Sequence, residues 1–246
     1  MASPAPRRFA PLNKGAEAQE APKLQGIVFD MDGTLCEPQT YMFADMRSAL
    51  GIPKSTDILH HIESLPTHDR LAATEAIRAI ERRAMASQTA QPGLMALMAY
   101  LDGLSVRKAI CTRNFDVPVR HLLDNFLPRS PFHPIVTREF KPPKPDPAGI
   151  LHIARQWGLP GAEGLIMVGD SIDDMAAGRR AGAATVLLVN NVNERLAKHE
   201  YTDLAIERLD ALVAVLENGF EGRHVRSDDV ALDNQDLALE PTSAGL

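Results

Sequence analysis

The chain alternates short, almost wholly apolar runs with longer stretches in which apolar residues recur about every three to four positions. The apolar runs are Gly26 to Phe29, Val106 to Cys111, Pro134 to Thr137, Leu165 to Val168 and Ala184 to Val189. Runs without polar alternation read as strands covered on both faces, and their spacing by helical stretches predicts parallel strands joined by right-handed crossovers. The expected fold class is α/β: a Rossmann-like open parallel sheet with helices on both faces, plus a small all-helical unit. Within 150–157, Ile150, Ile153, Ala154 and Trp157 share one helical face and Gly158 follows as a C′ residue, which puts Trp157 in or near the core.

One stretch breaks the alternation. From Glu37 to Gln91 there is no strand pattern, only helical ones over Tyr41 to Leu50, Thr56 to Leu65 and His68 to Ala86, punctuated by Gly51, Pro53 and Pro66. The expected organisation is a discontinuous core of 24–36 and 92–220, a helical insertion over 37–91, a leader over 1–23 and a polar tail over 221–246. Arg7 and Arg8, with no acid before Glu17, give the leader the look of a weak organelle-targeting peptide. Pro4, Pro6, Pro11 and Pro22 oppose an amphipathic helix, so the expectation is a disordered leader. Neither end is expected to carry chemistry. His60, His61 and His68 fall inside the insertion, but adjacent histidines on a helix point about 100° apart and make poor co-ligands, so a solvated face is expected.

Composition narrows the function classes. Aromatic residues make up 5% of the chain, too few for a base-stacking surface, and the net charge of -6 (26 basic against 32 acidic residues) disfavours a phosphodiester backbone or an anionic membrane. No apolar run approaches the roughly 20 residues that span a bilayer. The expectation is a cytoplasmic protein with no nucleic-acid or membrane partner. Two cysteines, Cys36 and Cys111, are too few for a disulfide framework and read as free thiols in a reducing compartment.

In an open parallel sheet, ligands gather beyond the carboxyl ends of the strands. Asp30 and Asp32 follow the first run, with Gly33 allowing a sharp turn; Thr112 follows the second; a loop with Lys141 and Lys144 follows the third; Asp170, Ser171, Asp173 and Asp174 follow the fourth. Carboxylates converging at one sheet edge repel one another and call for a cation. Mg²⁺ suits them, because it takes oxygen ligands from one or two carboxylates together with a substrate phosphate. A lysine and a hydroxyl would then hold the phosphoryl oxygens.

The segments Asp30-Met31-Asp32-Gly33-Thr34-Leu35, Thr112, Lys144-Pro145-Asp146-Pro147 and Gly169-Asp170-Ser171-Ile172-Asp173-Asp174, in this order, resemble the haloacid dehalogenase superfamily, and its phosphatase branch in particular, over about residues 25–216. The resemblance implies that Asp30 attacks phosphorus to form an aspartyl-phosphate while Asp32 protonates the leaving alcohol and then activates water. It implies Mg²⁺ held by Asp30, Asp170 and the backbone carbonyl of Asp32, with Asp174 as a further ligand or as the group ordering metal-bound water or the lysine. Thr112, Arg113, Asn114 and Lys144 would bind the phosphate, Lys144 being preferred to Lys141 for its Lys-Pro-x-Pro context. Asp32 favours phosphate esters over dehalogenation, and the insertion resembles a reduced helical cap over a small phosphorylated metabolite. Glu37, Tyr41, Arg47, His61 and Arg70 are the candidates to face the substrate. A sugar phosphomutase is the nearest enzyme alternative, and a noncatalytic binding protein retaining the fold is the other; oligomeric state is not encoded in these motifs.

Overall fold

The computed structural model describes residues 8–9, 23–39 and 41–222. The rest of the expected leader, and the expected tail beyond residue 222, lie outside the described residues. In chain order the elements are β1 (Arg8–Phe9), β2 (Gly26–Phe29), α1 (Tyr41–Leu50), α2 (Ile58–Ser64), α3 (Thr67–Ala86), α4 (Leu94–Gly103), β3 (Lys108–Cys111), α5 (Asp116–Phe126), β4 (Ile135–Val136), α6 (Ala148–Gln156), β5 (Leu165–Gly169), α7 (Ile172–Ala181), β6 (Ala184–Leu188), a 3₁₀ segment (Glu194–Lys198), β7 (Leu204–Ile206), α8 (Ala211–Asn218) and β8 (Phe220–Glu221). Six parallel strands form one sheet in the order β4-β3-β2-β5-β6-β7.

Strand alternation divides the core. Ile27 and Phe29 on β2, with Ile166 and Val168 on β5, enter the cluster that includes Leu97 and Leu101 of α4 and Leu212 and Leu216 of α8. Val28, Leu165 and Met167 point the other way, into the cluster with Ile150 and Ile153 of α6 and Ala177 of α7. Each such side chain contributes on the order of 1.5–3 kcal/mol. Trp157 lies over Gly26, where a Cβ would meet its ring at 2.4 Å, and its indole N–H donates to the His133 carbonyl at 2.7 Å. Gly158 has φ +70°, as a C′ residue requires.

Two features depart from the expected outline. The sequence pattern does not single out β7, a three-residue strand with only Ile206 buried. Arg8 and Phe9, inside the expected leader, pair antiparallel with Glu221 and Phe220, and Phe9 packs on Phe220 with ring centroids 5.5 Å apart. A two-residue strand carries no periodicity, and its partner lies at the other end of the chain.

Between β2 and α4 the described residues hold three helices and no strand. α1, α2 and α3 share an apolar cluster of their own around Met42, Met46, Ile58, Ile62, Ile77, Ile80 and Ala84. Asp57 caps α2 by accepting the His60 N–H at 2.7 Å. The two linkers run side by side: Glu37 N–H donates to Thr89 O at 2.8 Å and Gln91 N–H to Leu35 O at 3.1 Å. Among the described residues no helix is long and apolar enough to cross a membrane.

Candidate active site

β2 lies between β3 and β5, so the chain reverses its direction of progress across the sheet at this strand, and a crevice opens beyond its carboxyl end. Asp30 leaves β2 there, its N–H donating to Val168 O at 2.9 Å and extending the β2–β5 ladder by one bond. The chain then wraps around the Met31 carbonyl, which accepts from the N–H groups of Thr34, Leu35 and Cys36. Gly33 makes the turn possible: its φ is +79°, and a Cβ would lie 2.1 Å from Asp170 Oδ2.

Lys144 reaches this point from the loop before α6. Its ammonium donates to Asp30 Oδ1 at 2.6 Å and to Asp174 Oδ1, and its side chain is 4% exposed. Burial works against its charge, yet Asp174 and Asp30 hold its pKa above the usual lysine range. Lys141, the competing lysine, is 57% exposed and faces Glu63 of α2 at 3.2 Å.

Asp30, Asp170 and Asp174 each offer an oxygen within 4.8 Å of the others. Burial raises the Asp30 carboxyl to about 7 against the pull of Lys144. Asp170 is pushed well above the carboxylate range by burial, then by Asp174, Asp30 and Asp32. Its side chain has the Asn190 amide at 3.0 Å, and the Asn193 amide holds its backbone carbonyl at 2.7 Å. One ammonium against three carboxylates, Asp30 and Asp174 buried and Asp170 half-buried, leaves a cluster of hard oxygen donors short of positive charge, a donor set that fits a divalent cation such as Mg²⁺. Asp174 is the most committed of the three: Oδ1 meets Lys144, and Oδ2 accepts from Ser171 N at 3.1 Å and Ser171 Oγ at 2.6 Å, closing a capping box on α7.

Asp32 is held apart from this cluster. Its Oδ2 accepts from Asn114 Nδ2 at 2.7 Å and its Oδ1 lies 3.6 Å from the Cys36 thiol. Burial raises its pKa, while the Asn114 and Cys36 hydrogen bonds oppose the rise. Cys36 and Cys111 are both free and buried, and burial pushes both thiols upward, Cys111 to about 12, which suits neither for nucleophilic work.

Of the expected phosphate-binding residues, Thr112 follows β3 with its hydroxyl oxygen accepting from Asn114 N at 3.1 Å, which leaves its proton to donate. Arg113 and Asn114 are otherwise engaged. The Asn114 amide is spent on Asp32 and on the Phe115 N–H. Arg113 binds Asp173 at 2.6 Å and faces Asp57 of the insertion at 3.7 Å. A cavity of about 560 Å³ opens beside it, with Asp57, His60, Glu63, Arg113 and Lys141 in its lining. The insertion therefore presents Asp57, His60 and Glu63 there, which were not among the expected substrate-facing residues; Tyr41 bonds Ser87 and Arg70 bonds backbone carbonyls of its own layer. Asn190 and Asn193 also escaped the sequence reading. They follow β6, and the strand-end rule that found Asp170 would have found them had it been applied to that strand.

An open parallel sheet with a carboxylate–lysine cluster at its reversal point places the molecule among the Rossmann-like α/β proteins with a site at the strand ends. The chain belongs to the haloacid dehalogenase-like hydrolases, whose family model matches residues 24–182. It is 46% identical over 201 residues to Uncharacterized hydrolase YOR131C of Saccharomyces cerevisiae, covering 79% of this chain and 92% of the relative. It is 31% identical over 179 residues to a phosphoglycolate phosphatase of Rhodospirillum rubrum, covering 72% and 70%. Among solved structures, a predicted phosphoglycolate phosphatase from Haemophilus somnus shares the fold with a TM-score of 0.64 at 18% identity, over 78% of this chain and 97% of that one.

Proposed function

We propose that the chain is a magnesium-dependent phosphatase that hydrolyses a small phosphate monoester through an aspartyl-phosphate on Asp30. The observation that carries this reading is the separation of the two carboxylates of the β2 exit: Asp30 is held by Lys144 among the carboxylates, whereas Asp32 is held apart by Asn114. Two carboxyl groups in different environments can divide a nucleophile's work from an acid's.

In the first step an Asp30 oxygen attacks phosphorus, the bond from phosphorus to the ester oxygen breaks, and the Asp32 carboxyl gives its proton to the departing alcohol. In the second, Asp32 takes a proton from water, whose oxygen attacks phosphorus and frees Asp30 with inorganic phosphate. Lys144 and the Thr112 hydroxyl bind the nonbridging oxygens, and Asp174 orders Lys144. Asp30, Asp170 and the Asp32 carbonyl would hold Mg²⁺, which neutralises phosphoryl charge so that a carboxylate can approach it. The insertion acts as a cap, and the cavity between it and Arg113 takes the organic part of the substrate.

The purified protein should release phosphate from an aryl phosphate with Mg²⁺ and lose this activity with a chelator; magnesium-independent turnover would contradict the reading. The Asp30 carboxyl and that of Glu81, a buried residue of α3, set a pH signature. Asp30 and Glu81 are both raised to about 7, burial being the largest cause, so their neutral forms are favoured on folding. Their contribution to stability is full below the unfolded carboxylate range, about pH 4, and is lost as pH rises through about 7. Thermal melts of the metal-free protein should show this decline, and Mg²⁺ should raise the melting temperature more at about pH 8 than at about pH 5.5, because it binds the ionised carboxylates.

A further inference from the structure

Arg138 lies two residues beyond β4, 8% exposed, and no step above uses it. Its contacts fall on three consecutive residues of the loop that leaves β3. Its side-chain Nε donates to Arg113 O at 2.9 Å, its backbone N–H donates to Asn114 O at 2.9 Å, and its guanidinium carbon sits 3.9 Å from the centre of the Phe115 ring. The remaining fork reaches into the insertion, where Nη2 meets the buried carboxylate of Glu81 on α3 at 3.2 Å. The arginine side chain grips the two neighbours of Asn114, the Arg113 carbonyl and the Phe115 ring, while the backbone N–H of residue 138 holds the Asn114 carbonyl, so the residue clamped between them is Asn114, whose amide holds Asp32.

We propose that Arg138 is a positioning residue for the proton donor: it locks Asn114, and through Asn114 the Asp32 carboxyl, with Glu81 tying this lock to the docked insertion. The inference rests on the phosphatase reading and adds to it a route by which the helical insertion governs protonation of the leaving group. A displacement of about 1 Å in a catalytic group costs on the order of 100-fold. That cost falls on both steps that Asp32 serves, but only the first, in which it delivers its proton to the ester oxygen as the bond to phosphorus breaks, depends on the leaving group. An alkyl phosphate needs the proton, because it leaves as a strongly basic alkoxide. A nitrophenyl phosphate leaves as a stable phenolate and barely needs it.

The test is the ratio of kcat/KM on glycerol phosphate to kcat/KM on p-nitrophenyl phosphate, which reports the steps up to alcohol release and not the shared hydrolysis of the aspartyl-phosphate, measured with Mg²⁺ for the full chain, R138K, E81Q and D32N. R138K keeps a positive charge beside Glu81 but loses the planar fork, and should lower the ratio about 10- to 100-fold, in the same direction as D32N. E81Q, which keeps a hydrogen-bonding group, should lower it about threefold. If R138K is misfolded by circular dichroism, E81Q carries the test alone. A fall of equal size in kcat/KM on both substrates, or an unchanged ratio in a folded variant, overturns the positioning role while the phosphatase reading stands. A wild-type protein that hydrolyses neither substrate overturns the phosphatase reading, and the inference with it.

Discussion

Asp30→Asn should abolish phosphate release, lowering kcat by about four orders of magnitude or more, as loss of a nucleophile does elsewhere, while leaving the protein folded. The two halves of this expectation have one origin. Asp30 sits at the end of the central strand, 8% exposed, with its pKa raised to about 7 by burial. Folding therefore works against its negative charge at neutral pH. An asparagine carries no charge, keeps an oxygen to accept from Lys144, and relieves the repulsion from Asp174. Its melting temperature above pH 7 should match or exceed that of the wild type, and activity and stability should move in opposite directions. A variant that loses both together would mean that Asp30 is chiefly a structural residue.

Lys144→Met should lower kcat about 10²- to 10³-fold, the usual cost of removing a donor aimed at transition-state charge, and should also destabilise the fold. Methionine fills a similar volume, so packing is not the cause. The ammonium lies between Asp30 and Asp174, and its removal leaves two buried carboxylates without their counter-charge. Breaking one side of a buried ion pair costs about 3–5 kcal/mol, and Asp30 escapes part of that by taking up a proton. Denaturant unfolding with and without Mg²⁺ checks the claim, since added cation should recover stability but not activity. Lys141→Met, at a side chain that is 57% exposed on the edge of the cavity, should leave stability unchanged and lower kcat on an aryl phosphate far less than Lys144→Met does. The reverse pattern would exchange the two lysines' roles.

The sheet was legible because its central strands are buried on both faces and therefore apolar throughout: Ile27-Val28-Phe29 and Leu165 to Val168 are fully buried. The carboxylate positions were legible for a related reason, since a charged residue directly after such a run must sit at a strand end. What was not legible is pairing over long separations. Phe9 with Phe220 and Glu81 with Arg138 leave no local pattern, and β7 is too short and half-covered to read as a strand. Direction was hidden as well. The sequence places Arg113 and Asn114 beside Thr112 and so near the phosphate, but rotation along the loop sends Arg113 to Asp173 and Asp57 and aims Asn114 at Asp32. Lys141 and Lys144 are three residues apart, and only the fold turns one inward.

If Asp30 is the nucleophile, it becomes covalently phosphorylated in every turnover. The direct measurement is to quench the enzyme with acid during turnover of an aryl phosphate, reduce it with borohydride and sequence its peptides by mass spectrometry. An acyl phosphate is reduced to the alcohol, so homoserine is expected at position 30, dependent on substrate and Mg²⁺ and absent in Asp30→Asn. Unmodified Asp30 in every quenched sample of an active enzyme, or the label on another residue, would contradict a nucleophilic Asp30.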